Sequence, residues 1–364
     1  VDLTSGTVKN SVGSVIARSG YPTILVDDLY GGSGEFLLSL AVANREDLPV
    51  VGVASSDFQD IIKKIELLRV IKSLKESRIV LVAEGYYELW TDIDDVRDTF
   101  GTEVIKISTE EFNKYYSQIQ KKDAEYWADL WSDNALRVEE PSEEEILKAA
   151  RMYLALKEII REKKADAITV DCFNTVLANK IPAYPCLPFF QLNNEGSTGI
   201  CEGDIDSTLT QLMVRYLNGR PGFVNDPVID TAKNQVIYAH CSCVNRVYGP
   251  KGKPNPYIIR DHAEDGKGAA VQSILPTGDI VTTAKVNTSE KAMAIHLGTA
   301  VENVDVEKAC RSKLAVEAEA KTIMNNWNVD VDFKWHRVTF FGDIREPLKD
   351  LARLLSLKVV EEDL

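Results

Sequence analysis

Between Pro22 and Gly219 short apolar runs of strand length alternate with helical patterns, and no other feature restricts the chain as much. Such alternation specifies a parallel sheet covered by helices, because parallel neighbours need a crossover between them. Residues 22–26, 50–54, 78–83, 103–107 and 167–170 read as buried strands. Helices are expected from Phe36 onward, over 57–75 with Ile61, Ile62, Ile65, Leu68 and Ile71 at helical spacing, and over 91–100. Residues 109–140 are helix-prone, acidic and aromatic, and Ser142-Glu143-Glu144-Glu145 is a capping box opening a long helix to about Lys164. Residues 188–192 (PFFQL) read as a further strand, and 204–217 as a helix closed by Asn218-Gly219. The Gly31–Gly34 run reads as a tight strand-to-helix turn rather than a phosphate loop, since Glu35 stands where a Walker loop carries Lys and Ser or Thr.

From Pro221 the pattern changes to many short β-type runs (VIYAH, YIIR, AVQSIL, DIVTTAKV, KAMAIHLG, FKWHRVTFF) until a helix at 346–357. The expected fold class is therefore α/β: two Rossmann-like parallel-sheet units followed by a mainly antiparallel β C-terminal domain. The first unit spans 1–75, the second 76–221 with Glu202, and the β-rich domain 222–364 with Asp226 and His336. The opening Val1-Asp2-Leu3 resembles the tail of a strand, so the first unit is either truncated or naturally short. No repeat of solenoid length is present.

Lys and Arg total 42 against 56 Asp and Glu, a net charge of −14 that argues against nucleic acid and anionic membrane partners. Neither a transmembrane run nor a basic, apolar signal peptide is seen. Six cysteines without paired CxxC motifs suit a reducing compartment, so a soluble cytoplasmic protein is expected. Cys241 and Cys243, flanking Ser242 beside His240, read as strand residues rather than a soft-metal cluster.

The chemistry concentrates in Gly199-Ile200-Cys201-Glu202-Gly203-Asp204-Ile205-Asp206. Asp204 and Asp206 are accounted for as first-turn acids favoured by the helix dipole. Glu202 instead follows an apolar run at the carboxyl end of a strand, where α/β folds expose ligands. Asp226, in Phe223-Val224-Asn225-Asp226-Pro227, is a second carboxylate in apolar surroundings. Such acids need a cation or donors, and two together suggest a shared divalent ion. The plain alternative pairs them with Arg215 or Arg260. Each of His240, His262, His296 and His336 taken singly is more often structural than a ligand, and His336 stands out in its aromatic strand.

Gly199 to Asp204, then Asp226, Ala239-His240-Cys241, Pro276-Thr277-Gly278, and His336-Arg337-Val338 before Phe341-Gly342-Asp343 together resemble the L-fucose isomerase and L-arabinose isomerase family. The resemblance implies Glu202, Asp226 and His336 as metal ligands for Mn²⁺, with Mg²⁺ or Co²⁺ as alternatives, and Glu202 and Asp226 as the acid/base pair. It implies aldose–ketose isomerisation through a cis-enediol, a small sugar as partner, and a homo-oligomer, hexameric in the relatives. Trp335, His262 and His240 are the expected substrate contacts. Trp335 replaces the Asn usual before the ligand histidine, and the loop 248–256 with Lys251 and Lys253 has no counterpart, which leaves an acidic or modified sugar open. Two alternatives carry the same fold: a sugar-binding or regulatory protein without turnover, and an epimerase using the same enediolate.

Overall fold

The computed structural model describes residues 16, 18–27, 29, 34–84 and 91–364. The opening segment 1–15 and the glycine turn at 31–33 lie outside the described residues. In chain order the elements are β1 (Thr23–Asp27), α1 (Gly34–Arg45), β2 (Val50–Ala54), α2 (Phe58–Glu76), β3 (Arg78–Val82), α3 (Ile93–Phe100) and β4 (Glu103–Ile107). Then come α4 (Thr109–Gln118), α5 (Lys121–Asn134), α6 (Glu143–Lys163), β5 (Ala167–Val170), α7 (Cys172–Thr175), α8 (Cys186–Asn194), β6 (Thr198–Cys201) and α9 (Ile205–Asn218). The rest is β7 (Phe223–Asp230), β8 (Gln235–His240), β9 (Tyr257–His262), β10 (Lys267–Ser273), β11 (Ile280–Asn287), β12 (Ala292–Asn303), β13 (Ser312–Glu317), α10 (Ala320–Asn326), β14 (Arg337–Phe341), α11 (Arg345–Leu354) and β15 (Lys358–Glu361).

The strands form the expected layout. β1 and β2 pair in parallel, and β4-β3-β5-β6 make a four-stranded parallel sheet. Beyond Pro221 the strands run mainly antiparallel in the order β11-β14-β7-β8-β13-β12-β15. β11 also pairs with β12, so β11, β14, β7, β8, β13 and β12 close into a barrel, with β15 added in parallel outside β12. Closure removes the exposed edges that an open sheet of this length would leave.

Successive β3 residues point to opposite cores. Ile79 and Leu81 pack on α9, while Val80 and Val82 face α4, α5, α6 and α8. α9 is buried from Ile205 through Val214, wedged between the parallel sheet and barrel residues Ala284, Val286, Val338 and Phe340. A helix apolar on nearly all sides must be enclosed in this way. Its N-terminus consequently lies between the two sheets. Ser142 caps α6 by accepting from the Glu145 N–H at 3.3 Å, as the capping box requires.

Residues 188–192 are helical, within α8, and not the expected strand. The run is apolar because α8 is buried on all sides, and periodicity cannot separate a buried helix from a buried strand over so few residues. Pro188 is tolerated in the first turn, where its missing N–H has no intrahelical partner to lose.

Candidate active site

The site forms where β6 and β8 end and β14 begins, beside the middle of β7. β6 stops at Cys201, and Glu202 and Gly203 follow with φ of 65° and 66°. A left-handed glutamate is uncommon and costs about 1 kcal/mol or more, which the buried sheet and helix on either side impose. Asp204 then caps α9, accepting from the Ser207 N–H and Oγ–H, both at 2.8 Å. Asp226 is set by the β7 register opposite Ala239, and the pairing of Asn225 with Arg337 brings His336 alongside it. His240 ends β8 at the barrel mouth.

These side chains converge. His336 Nε2 lies 3.5 Å from Glu202 Oε2 and 3.4 Å from Asp226 Oδ1. His240 Nε2 lies 3.7 Å from Glu202 Oε1, and the two imidazoles stand edge to face with centroids 5.6 Å apart. One donor atom each from Glu202, His240 and His336 falls within 4.8 Å of the others. Glu202 Oε2 and His240 Nε2 are buried with no hydrogen-bond partner among the described residues. Each such atom costs on the order of 1–3 kcal/mol unless a ligand meets it. Carboxylate oxygens with imidazole nitrogens suit a borderline divalent ion such as Mn²⁺, so the residues present fit the expected metal. Asp226, with its side chain 40% exposed, flanks the group on the open side.

Electrostatics point the same way. Burial pulls the His240 imidazole down, yet the Glu202 contact and the Asp226 charge outweigh it and raise the group to about 9. Burial alone would push the Glu202 carboxyl up, but His240 and His336 hold it below its ordinary range. Asp204, despite complete burial, is kept far below the usual carboxylate range by Lys285 and His336. His336 Nδ1 meets Asp204 Oδ2 at 2.9 Å, and an ionised carboxylate there assigns the ring proton to Nδ1 and turns Nε2 toward Glu202 and Asp226. Lys285 Nζ donates to the same Asp204 oxygen and to Ser207 Oγ at 2.7 Å.

The arginine pairing fails on geometry. Arg215 Nη1 donates to the Asp166 carbonyl at 2.8 Å, and Arg260 Nε meets Glu139 and Glu140, each at 2.8 Å. Cys241 packs toward the cavity and Cys243 into the barrel core, so those two thiols face apart. His262 lines the cavity, held by Asp265 at 3.0 Å and by the Tyr184 ring. Trp335 is 46% exposed and stands edge-on to His336 with centroids 5.9 Å apart, outside the cavity lining. Lys251 and Lys253 are exposed and do not line the cavity. Sequence reasoning gave Asp204 a helix-dipole role only and passed over Lys285, although a lone lysine inside the apolar run DIVTTAKV signals a buried acid nearby.

Two proteins named sulfoquinovose isomerase, from Priestia aryabhattai and Priestia megaterium, are each 23% identical over 313 residues, covering 82% of this chain and 67% of the relative. A third of that name, from Alkalicoccus urumqiensis, is 20% identical over 307 residues, covering 80% of this chain and 66% of its own length. The chain is similar to sugar isomerases. No protein-family model matches it. The similarity supports the isomerase class read from the residues, and it rests on sulfoquinovose isomerases rather than on the L-fucose or L-arabinose enzymes. Among the described residues no helix is long and apolar enough to cross a membrane.

Proposed function

We infer that the chain is a metal-dependent aldose–ketose isomerase working through a cis-enediol, and the convergence of Glu202, Asp226, His240 and His336 at one barrel mouth carries that reading. Glu202, His240 and His336, with Asp226 at the open side, would hold the ion. A divalent ion there supplies Lewis acidity, lowering the acidity barrier at a sugar carbon beside a carbonyl. Of the protein's own groups, one carboxylate of the Glu202 and Asp226 pair takes the C2 proton and returns it at C1, while the other handles the hydroxyl proton. His240 and His336 favour the ionised form of Glu202. Asp204 and Lys285 hold His336 in one tautomer and one orientation, and the apolar wall of Phe173, Val176 and Leu177 limits water. Of the expected sugar contacts, His262 and His240 line the cavity and Trp335 stands outside that lining.

The named relatives favour sulfoquinovose as the first sugar to test, with L-fucose and L-arabinose beside it. A cytoplasmic homo-oligomer, hexameric as in the resembled family, belongs to the same proposal. Metal-loaded protein should interconvert at least one aldose and ketose of a broad panel. Failure on the whole panel, together with no bound ion after saturation, would leave the four residues as a structural cluster.

A further inference from the structure

Of the chain's 6 cysteines, Cys172, Cys186, Cys201, Cys241 and Cys310 all line the cavity beside Glu202 and His240. Within that group Cys241 and Cys310 pack together against Cys186 and Ala270. Cys241 is 1% exposed, whereas Cys310 is partly open to solvent at the end of the exposed segment 305–309. Ala309 has φ of 64°, a left-handed turn that brings the chain back to the cavity wall just before Cys310. A solvent-reachable thiol with a second thiol in contact is the arrangement in which oxidation of the first is resolved as a disulfide by the second.

We propose that Cys310 and Cys241 are a modification site, a dithiol that hydrogen peroxide or an organic hydroperoxide closes to a disulfide across the cavity wall. Cys310 sulfur attacks the peroxide oxygen; the S–O bond forms, the O–O bond breaks, and the leaving hydroxide takes the thiol proton as water. Cys241 sulfur then attacks that sulfenic sulfur; the S–S bond forms, the S–O bond breaks, and a second water leaves with the remaining proton. Two thiols and one hydrogen peroxide thus give one disulfide and two waters. The bond ties the 305–309 segment to the neighbour of His240 and distorts the site, a consequence that rests on the isomerase reading above. Cys172 and Cys201 make a competing thiol pair at the same cavity, which gives the test an internal control.

The test treats the intact, metal-loaded protein with hydrogen peroxide, alkylates remaining thiols and maps disulfides by mass spectrometry, with C2–H exchange of the working sugar measured alongside. A peptide linking residues 241 and 310, loss of most of the exchange rate and its return on dithiothreitol support the proposal. Cys310→Ser should then keep its own untreated rate through the treatment. A Cys172 to Cys201 link, irreversible oxidation alone, or thiols that all remain alkylatable would overturn it. Should no sugar be turned over, the peptide map alone decides the modification site, separately from the isomerase reading.

Discussion

Glu202 carries a heavy chemical demand, since it is left-handed, partly buried and in contact with two imidazoles. Glu202→Gln keeps the shape and removes the basic oxygen, so turnover should fall about 10²–10⁴-fold in a steady-state assay with little change in melting temperature. A protein that only binds sugar would hold its ligand almost unchanged in this variant. His240, raised to about 9, is protonated below that value, and an ion needs the neutral ring. Ion affinity should therefore weaken about tenfold for each pH unit on descending from 9, measured by calorimetric titration. Affinity independent of pH would remove His240 from the ligand set. That Glu202 and Asp226 converge was legible because two acids in apolar surroundings need a cation or donors, and His336 joined them through the family resemblance. The approach of His240 to Glu202 was not, because only the pairing of β7 with both β8 and β14 brings the end of β8 beside the start of β14.

At the scale of elements, α9 and β11 together hold His336. Asp204→Asn leaves the Lys285 ammonium buried without its carboxylate, which should cost about 3–5 kcal/mol in urea unfolding. Adding Lys285→Met should recover much of that stability and still leave ion affinity about 10–100-fold low, since His336 has lost its orienting acid. Recovery of both together would make the pair purely structural. Gly199 shows the same dependence on packing, because a Cβ there would sit 2.4 Å from Phe189 Cδ1. Gly199→Ala should destabilise by about 1–3 kcal/mol, read as a lower denaturation midpoint with unchanged slope. The strands and helices up to α6 were readable from periodicity and caps. α8 was misread because burial on every side erases the helical stripe; α7, α10, β13 and β15 passed unnoticed because they are short, and β7 because Asn225, Asp226 and Pro227 interrupt its apolar run.

Across the whole molecule, the chain's last residues lock the barrel from within. Glu362 meets Arg337 at 2.6 Å and His296 at 2.9 Å, and Arg337 lies 3.6 Å over the Trp327 ring. Burial would raise the Glu362 carboxyl, but Arg337 and His296 bring it down to about 2 from 4.5. Because the folded value is depressed, this stabilisation is complete above the unfolded value near 4.5 and is lost as pH falls toward 2, on the order of 3 kcal/mol in all. Glu362→Gln should lower stability at neutral pH and flatten the acid limb of a stability–pH curve. An acid limb as steep as in the parent protein would place the sensitivity elsewhere. The central claim, that carboxylates at the barrel mouth move a proton at sugar C2, is tested most directly by ¹H NMR of the Mn²⁺-loaded protein in D₂O with sulfoquinovose and the other candidate sugars. Solvent deuterium should appear at C2 of the aldose, or C1 of the ketose, in the parent protein and fall to background in Glu202→Gln. Undiminished C–H signals with the parent protein across every sugar and metal tried would contradict the account.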